Sequence, residues 1–288
     1  MTQPSRGSRR PRPARPLVSI IILCHNDWAY LKKCLASIFR FTKPRSYEII
    51  IVDNASTDGV RPHLRRLSAR SNVKVLFNKE NRFFAGGNND GIRLARGRHV
   101  LLLNADAVVG PEWLDRLLLC AERDPKIGVV APRTNHAAGV QVVKKPGYRD
   151  LRSFPTFAAR WAKRFNGQTE AAHRLIGFCL LIKRETLDKV GLLDERFGPG
   201  GYEDYDYCMR VRQAGYSLAV AKDVFVHHFG GKGYKGVNYD GMRLINRELL
   251  SRKWSDFLIR ALDDIDGYFK NPSMNNVSRM ALTRNPPA

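Results

Sequence analysis

Tyr47–Asp53 reads YEIIIVD, a β-branched run that ends in an acid, and Val18–Leu23 upstream of it reads VSIIIL. Continuous apolar runs of this length are typical of strands that are buried on both faces, as in a parallel sheet. Between the two runs, apolar residues recur at helical spacing from Leu31 to Phe39. These stretches therefore predict a strand–helix–strand unit.

The same alternation continues downstream. Further strands are predicted at Val73–Phe77, His99–Leu103 and Ile127–Ala131, with helices at Pro62–Ala69, Asn88–Ala95 and Pro111–Ala121. Short buried strands that alternate with helices predict a mostly parallel sheet covered by helices on both faces. Ligands of such sheets bind beyond the carboxyl ends of the strands. Asp53 and Asp106 stand at two of these ends, which makes them the first functional candidates.

The second half of the chain is organised differently. Residues 135–172 have weak periodicity, which predicts an insertion with loops that shapes an acceptor site. Beyond it we predict strands at Gly177–Ile182, Ser217–Ala221 and Val224–His228, a helix at Glu203–Gln213, and two helices between Tyr239 and Leu262. The predicted division is a basic tail at 1–16, a main domain at 17–235 with halves 17–131 and 132–235, and a helical extension at 236–288.

The chain is strongly basic. Its 288 residues include 49 Lys and Arg against 27 Asp and Glu, which gives a formal net charge of +22. A field of this sign attracts polyanions: nucleic acid, anionic lipid headgroups or phosphate-bearing substrates. Residues 1–16 combine five Arg and four Pro without an acid, which predicts a disordered tail. This tail is either simply solvated or in contact with an anionic membrane surface.

Two further observations concern the compartment. The sequence contains neither a run of 18 apolar residues, which a transmembrane helix would need, nor the apolar centre of a secretory signal. The five cysteines are scattered and never form a CxxC pair, which predicts reduced thiols, a cytoplasmic protein and no zinc knuckle.

Asn104-Ala105-Asp106 directly follows a predicted strand. Side-chain oxygens at this spacing can bind a hard divalent ion such as Mg²⁺ or Mn²⁺, which in turn would bridge the oxygens of a diphosphate. The alternative is that Asp106 caps the next turn or helix. His227 and His228 end another strand, and because adjacent strand residues point to opposite faces, only one of them is expected to reach a cleft.

The strand end at Asp53 continues as DNASTDG, residues 53–59. Its oxygens, including those of Asn54 and Asp58, could hydrogen-bond a base and a ribose. An Asx turn with a helix N-cap is the alternative for Asn54, Ser56 and Asp58.

The segment Asn81–Gly91 reads NRFFAGGNNDG. Its glycine pair would let the backbone approach a ligand closely at Gly86 and Gly87. The pattern is neither GxGxxG nor a Walker P-loop, which disfavours Rossmann dinucleotide-binding and kinase functions.

Glu203-Asp204-Tyr205-Asp206 places three carboxylates in four residues. On a helix, Glu203 and Asp204 diverge, and Asp206 can pair with Arg210, which leaves one acid to face a cleft. Crowded like charges near a buried site raise a pKa, which suits a general base. A solvated acidic helix start is the alternative.

Together these segments resemble the inverting glycosyltransferase family 2, over about residues 18–233. The most specific stretch is GFCLLIKRETLDKVGLLDERFGPGGYEDYDYCMRVRQAGY, residues 177–216, and VSIIILCHN and IIIVDNASTDG match the family's opening strand and nucleotide-binding strand end. NRFFAGGNNDG resembles the rhamnosyltransferase-like subgroup. The resemblance implies an α/β fold of the GT-A type: an open mixed sheet flanked by helices, here with a C-terminal helical extension.

The resemblance also implies roles for single residues. Asp204 matches the catalytic base, and Asp106 matches the last acid of the DxD motif, which binds Mn²⁺ or Mg²⁺; Asn104 replaces the first acid. His228 matches a histidine that reaches the metal or the diphosphate, with His227 as the alternative. The residues implied to bind the nucleotide sugar are Asp53, Asn54, Asp58, Asn81, Gly86, Asn88, Asn104 and Glu203.

The implied reaction is one direct displacement at the anomeric carbon, with Asp204 accepting the proton of the acceptor hydroxyl. Lys232 or Lys235 would help to stabilise the departing diphosphate. The implied donor is a UDP-hexose or dTDP-rhamnose. The implied acceptor is a glycan or lipid-linked glycan of cell wall or surface polysaccharide synthesis, reached from the cytoplasm or the inner face of the membrane.

Three other functions compete with this one. A nucleic-acid- or membrane-surface-binding protein without catalysis would explain the charge, but no nucleic-acid-binding module is present. A nucleotidyltransferase would need a Gly-rich, Lys-containing loop after the first strand, where this chain has CHNDWAY. A catalytically silent scaffold is disfavoured by intact Asp106, Asp204 and His228.

Overall fold

The buried β-branched runs form the centre of one mixed sheet in the computed structural model, which describes residues 16–43, 47–230 and 239–255. Within these ranges the strands are β1 (Val18–Cys24), β2 (Tyr47–Asp53), β3 (Val73–Phe77), β4 (His99–Asn104), β5 (Ala107–Val108), β6 (Ile127–Thr134), β7 (Thr169–Ala172), β8 (Cys179–Lys183) and β9 (Ser217–His228). The strand order is β3-β2-β1-β4-β8-β6-β9-β5, and β7 pairs with β9.

Parallel pairing is restricted mainly to the first half of the chain. Strands β1 to β4 are mutually parallel, β8 is antiparallel to both β4 and β6, and β6 and β9 are parallel. The predicted open mixed α/β sheet is therefore confirmed, and the carboxyl ends of β1, β2 and β4 meet at one edge.

Helices cover both faces of the sheet. They are α1 (Trp28–Phe41), α2 (Val60–Leu67), α3 (Phe83–Leu94), α4 (Trp113–Glu122), α5 (Phe154–Arg164), α6 (Arg184–Val190), α7 (Glu203–Gln213) and α8 (Tyr239–Trp254). Helices α1, α2 and α4 pack on one face, against side chains such as Ile20 and Ile22, and α3, α6 and α7 pack on the other, against Ile21. Each fully buried aliphatic side chain of this kind contributes about 1.5–3 kcal/mol.

Helix α3 begins at Phe83, five residues before the predicted start at Asn88. Gly87 was predicted to let the backbone approach a ligand, but it serves helix–sheet packing, as Gly91 does: a Cβ would lie 2.3 Å from Leu23 Cδ1 at Gly87 and 2.4 Å from Ile21 Cγ2 at Gly91. The glycine-rich segment is therefore a helix whose backbone lies unusually close to β1.

Two other predictions were wrong in the second half. The insertion at 135–172 contains helix α5 and strand β7, because Phe154 and Phe157 pack against Phe225 of the sheet. The two short strands predicted between residues 217 and 228 are one strand, β9, whose pairing with β6 shifts register between Pro132 and Arg133. This single strand carries His227 and His228 back to the site edge.

Several predictions lie outside the described residues: the tail up to residue 15, Lys232 and Lys235, and the helix predicted after Trp254. Among the described residues, no helix is both long and apolar enough to cross a membrane.

Candidate active site

A cavity of about 520 Å³ opens at the carboxyl ends of β1 and β4. Its wall is built by the β1–α1 corner, the β4–β5 connection, residues 136–138 and 174–178, and the turn before α7. Of the predicted site residues, those that line it are Asn54, Asn81, Asn104, Asp106, Glu203, Asp204 and His228. Residues far apart in sequence thus converge where the sheet topology predicts a ligand.

Asp106 and His228 face each other in this cavity. His228 Nε2 lies 3.2 Å from Asp106 Oδ1 and 3.4 Å from Asn104 Nδ2. The backbone fixes the approach, because Ala107 pairs with His228 and the Phe229 N–H donates to the Asp106 carbonyl at 3.1 Å. The short β5–β9 ladder therefore sets the separation of the two side chains.

The tautomer of His228 is determined by its other nitrogen. Nδ1 lies 2.7 Å from the His136 carbonyl, which can only accept, so Nδ1 carries the proton. In the neutral ring Nε2 then carries no proton, and its lone pair faces Asp106 Oδ1 and the Asn104 amide. An imidazole held by a backbone carbonyl beside a carboxylate is a donor set that fits a divalent cation. The described residues contain no cluster of three or more His, Cys, Asp or Glu at metal-binding geometry.

His227 points away from the cavity into an aromatic cluster. Its Nδ1 contacts the Tyr148 hydroxyl, and the ring lies against Phe154 and Phe229. Burial lowers the pKa of His227 to about 4. Of the two candidate histidines, the structure brings only His228 to Asp106.

Glu203 and Asp204 form the first turn of α7. Asp204 Oδ2 accepts from the Gly177 N–H and Oδ1 from the Tyr205 N–H, both at 2.8 Å. Burial raises the pKa of Asp204, whereas these N–H groups and the charge of Arg174 oppose the rise. The two backbone N–H groups thus fix the orientation of the carboxylate.

Glu203 is only 4% exposed, and its Oε2 has no hydrogen-bond partner among the described residues. Burial raises the pKa of Glu203, and the neighbouring charge of Asp204 raises it further. Asp206, in contrast, turns away and accepts from Arg210 Nε at 2.8 Å, so the predicted Asp206–Arg210 pair is confirmed.

Asp53 lies behind the cavity wall. Its side chain is fully buried: Oδ2 accepts from Arg61 Nε at 2.7 Å and Oδ1 from the Ser56 N–H at 3.1 Å. It is not among the cavity-lining residues. A direct contact of Asp53 with a nucleotide stays a prediction and would require the carboxylate to exchange these partners.

Asn54 bridges two strand-end loops. Its Nδ2 donates to Asn81 Oδ1 at 2.7 Å, and its Oδ1 accepts from Asn78 Nδ2 and from the Arg82 N–H. Asp58 instead accepts from the Val60 N–H at 3.2 Å at the start of α2, the geometry of the Asx-turn alternative.

Gly86 and Asn88 lie within α3 and do not line the cavity. Asn88 Nδ2 donates to the Phe84 carbonyl at 2.8 Å, and a Cβ at Gly86 would meet Arg82.

Sequence reasoning missed several cavity residues: His25, Asp27, His136, Arg174, Phe178, Tyr202 and Arg243. Arg174 is buried, with its guanidinium 5.0 Å from the Tyr205 ring centre. It is a single Arg in a stretch without a recognisable motif, so no local pattern marks it. Phe178, whose ring stacks on His228 at 4.9 Å, was visible only as an apolar strand residue.

The fold and cavity define an α/β protein with an acid-lined cleft at the carboxyl edge of a mixed sheet, an arrangement typical of nucleotide-dependent enzymes. The chain belongs to glycosyl transferase family 2, whose model matches residues 19–191, more than half of the chain. The match includes Asp53 and Asp106 but ends before Glu203, so geometry alone brings α7 and His228 to the site.

Individual relatives agree with this family. The chain is 27% identical to the glycosyltransferase AglE of Haloferax volcanii, over 74% of this chain and 67% of that protein. It is also 27% identical to an uncharacterized protein of Sinorhizobium fredii over 96% of this chain, which spans only 30% of that relative. Among solved structures, a mannosyltransferase from Pyrobaculum calidifontis in complex with GDP-Man and Mn²⁺ has a similar fold, with a TM-score of 0.63 and 21% identity over 98% of this chain and 80% of its own.

Proposed function

We propose that this protein is an inverting glycosyltransferase that moves a sugar from a nucleoside diphosphate sugar to a hydroxyl group of a glycan or lipid-linked acceptor. One observation carries the proposal: the Asp106–His228 pair and the buried carboxylate of Asp204, which is held by backbone N–H groups, line the same cavity. Membership of family 2 and the likeness to an enzyme crystallised with GDP-Man and Mn²⁺ support it.

Asp106 and His228 are proposed to hold Mn²⁺ or Mg²⁺. When bound, the cation would offset the negative charge that develops on the departing diphosphate. The chain's contribution is orientation: the β5–β9 ladder fixes both side chains, and the His136 carbonyl holds the His228 tautomer in which Nε2 is unprotonated.

Asp204 is proposed as the general base. It takes the proton of the acceptor hydroxyl, whose oxygen attacks the anomeric carbon on the face opposite the diphosphate, so one displacement inverts that carbon. Backbone N–H groups of Gly177 and Tyr205 hold the carboxylate in place for this step. Asp204 accepts two backbone N–H bonds, which favour the charged form of a carboxyl group, whereas Glu203 Oε2 accepts none from the described residues. We therefore assign the negative charge to Asp204 and the shared proton to Glu203.

The nucleoside is proposed to lie at the carboxyl ends of β2, β1 and β4, where Asn54, Asn81 and Asn104 line the cavity. Asp53 and Asp58 are proposed to act on the donor through the loop after β2, and Gly86 and Asn88 through helix α3, because none of the four lines the cavity. A UDP-hexose or dTDP-rhamnose donor remains the proposal, with GDP-mannose added because of the Pyrobaculum enzyme.

A donor panel tests the proposal. Purified full-length protein is incubated with Mn²⁺ and UDP-, GDP- and dTDP-sugars, and melting temperature and sugar release are measured. We expect one nucleotide class to raise the melting temperature and its sugar to be released slowly to water. Absence of both effects across the panel, with and without Mn²⁺, would contradict the function.

Peripheral contact with an anionic membrane at the cytoplasmic face is part of the proposal. Helices α1 and α2 carry the basic residues Lys32, Lys33, Arg40, Arg65 and Arg66 and no acid. Such a face is attracted to anionic lipid. Salt-sensitive cosedimentation with phosphatidylserine vesicles, but not with phosphatidylcholine vesicles, is the expected result.

A further inference from the structure

The turn that precedes Asp204 has an unusual backbone. Gly198, Gly200, Gly201 and Tyr202 have positive φ angles of 52°, 131°, 93° and 76°. For a residue with a side chain such as Tyr202, this conformation costs about 1–2 kcal/mol. Because the turn runs directly into α7, any relaxation of it would move Glu203 and Asp204.

One side chain from α8 holds this turn. Asn246 is 1% exposed, and its Nδ2 lies 2.6 Å from the Phe197 carbonyl oxygen and 3.0 Å from each of the Gly200 and Gly201 carbonyl oxygens. The amide donates two protons to three acceptors, so at least one bond is shared. The three acceptors lie 49, 46 and 45 residues away in sequence, so Asn246 joins α8 to the turn as a crosslink would.

The rest of α8 is fixed on α7 itself. Leu250 is buried against Phe197, Tyr205 and Met209. Further along, Lys253 Nζ lies 2.7 Å from Asp206 Oδ1, and Trp254 Nε1 donates to the same oxygen at 2.9 Å. The helix thus contacts the turn on one side of Asp204 and the α7 residue two positions beyond it.

We propose that Asn246 is a positioning residue for Asp204: it holds the turn at 198–202 in its left-handed conformation and thereby keeps the carboxylate directed into the cavity. This inference rests on the proposed function of Asp204 as the base. Asn246 lies outside the residues that the family model matches, 19–191.

The chain offers a matched control. Asn89 on α3 is also 1% exposed, and its Nδ2 donates to the Leu193 carbonyl and to Glu195 Oε1, both at 2.9 Å. Asn89 holds residues 193–195, upstream of the turn, and makes no hydrogen bond to residues 197–202. Loss of either amide should destabilise the protein, but only loss of Asn246 should move the base.

The experiment compares Asn246→Ala and Asn89→Ala in the full-length protein. We expect kcat of Asn246→Ala to fall by about 10²-fold, the cost of a misplacement of about 1 Å, with KM for the donor nearly unchanged. Asn89→Ala should keep kcat within about threefold of the wild type, even if its melting temperature falls as much as that of Asn246→Ala.

Hydrogen exchange supplies a second measurement that needs no activity. Amides of residues 198–206 should exchange at least about tenfold faster in Asn246→Ala, whereas Asn89→Ala should leave them unchanged. Equal kcat or equal exchange in the two variants would overturn the role of Asn246. A wild type inert toward all donors would instead overturn the proposed function, and the exchange result would then still decide whether Asn246 holds the turn.

Discussion

Asp53 and Asp106 both stand at the carboxyl ends of buried parallel strands, and in the sequence they are equivalent. In the structure Asp53 is satisfied internally by Arg61 and Ser56, whereas Asp106 faces the cavity beside the lone pair of His228. The difference arises from the element that comes after each strand: α2 brings a cation to Asp53, and β5 pairs with β9 to bring an imidazole to Asp106. A strand-end acid is thus a candidate ligand only when no basic side chain of the next helix reaches it.

The largest expected effect concerns the base. Asp204→Asn removes the proton acceptor while it keeps the size of the side chain, so kcat should fall by about 10³-fold with donor affinity nearly unchanged. Asp188→Asn, on the exposed face of α6, is the control and should retain activity. Near-normal turnover of Asp204→Asn in a steady-state assay would remove Asp204 from the role of base.

The two adjacent histidines point to opposite faces of β9: His228 lines the cavity, and His227 packs in the aromatic cluster. His228→Gln should weaken Mn²⁺-dependent donor binding by about 10–100-fold, because it removes the nitrogen beside Asp106. His227→Gln should lower the melting temperature but leave donor binding nearly unchanged, since His227 packs outside the cavity. Calorimetric titration measures both, and a reversed order would exchange the two assignments.

Asp53→Asn tests whether Asp53, whose carboxylate is bonded to Arg61 and Ser56, serves stability rather than donor binding. It leaves Arg61 without its buried partner and should reduce the free energy of unfolding by about 1–3 kcal/mol. Donor affinity of the folded protein should change little, because Asp53 does not line the cavity. Urea denaturation and donor titration on one sample measure the two quantities. A large loss of affinity with unchanged stability would return Asp53 to direct nucleotide contact.

The smallest effect concerns the pH dependence of stability. The pKa of Glu203 rises from 4.5 to about 8 on burial, so the folded state binds this proton more tightly than the unfolded state. The contribution of Glu203 to the free energy of unfolding is therefore complete below pH 4.5 and is lost as the pH rises from 4.5 to about 8. Glu203→Gln should therefore be more stable relative to wild type at pH 8 than at pH 5, by at least about 1 kcal/mol, the equivalent of a pKa difference near one unit. If the free energies of unfolding of the two proteins changed in parallel with pH, the raised pKa of Glu203 would be refuted.

Much of the fold could be predicted from the sequence, because strands buried on both faces read as continuous apolar runs, as in β1, β2 and β4. The errors have physical causes. The predicted helix left Gly87 out, yet the missing side chains of Gly87 and Gly91 let α3 lie against β1. Helix α5 is stabilised by aromatic contacts with the distant Phe225, which local periodicity does not record.

The site was predictable only where chemistry follows a pattern. Asp106 and Asp204 stand in motifs, and His228 stands at a recognisable strand end. Arg174 and Asn246 are single residues whose importance depends on tertiary contacts, so the sequence carries no local signal for them. The choice between His227 and His228 likewise required the register of β5 against β9.

The role of Asp106 as the cation-binding acid is tested most directly by the Mn²⁺-dependent gain in affinity for the donor nucleotide in wild type, Asp106→Asn and Asp53→Asn. Titration with and without Mn²⁺ isolates that gain from the rest of the binding energy. We predict that wild type and Asp53→Asn bind at least about tenfold more tightly with Mn²⁺ and that Asp106→Asn loses this gain. An undiminished gain in Asp106→Asn would contradict that role.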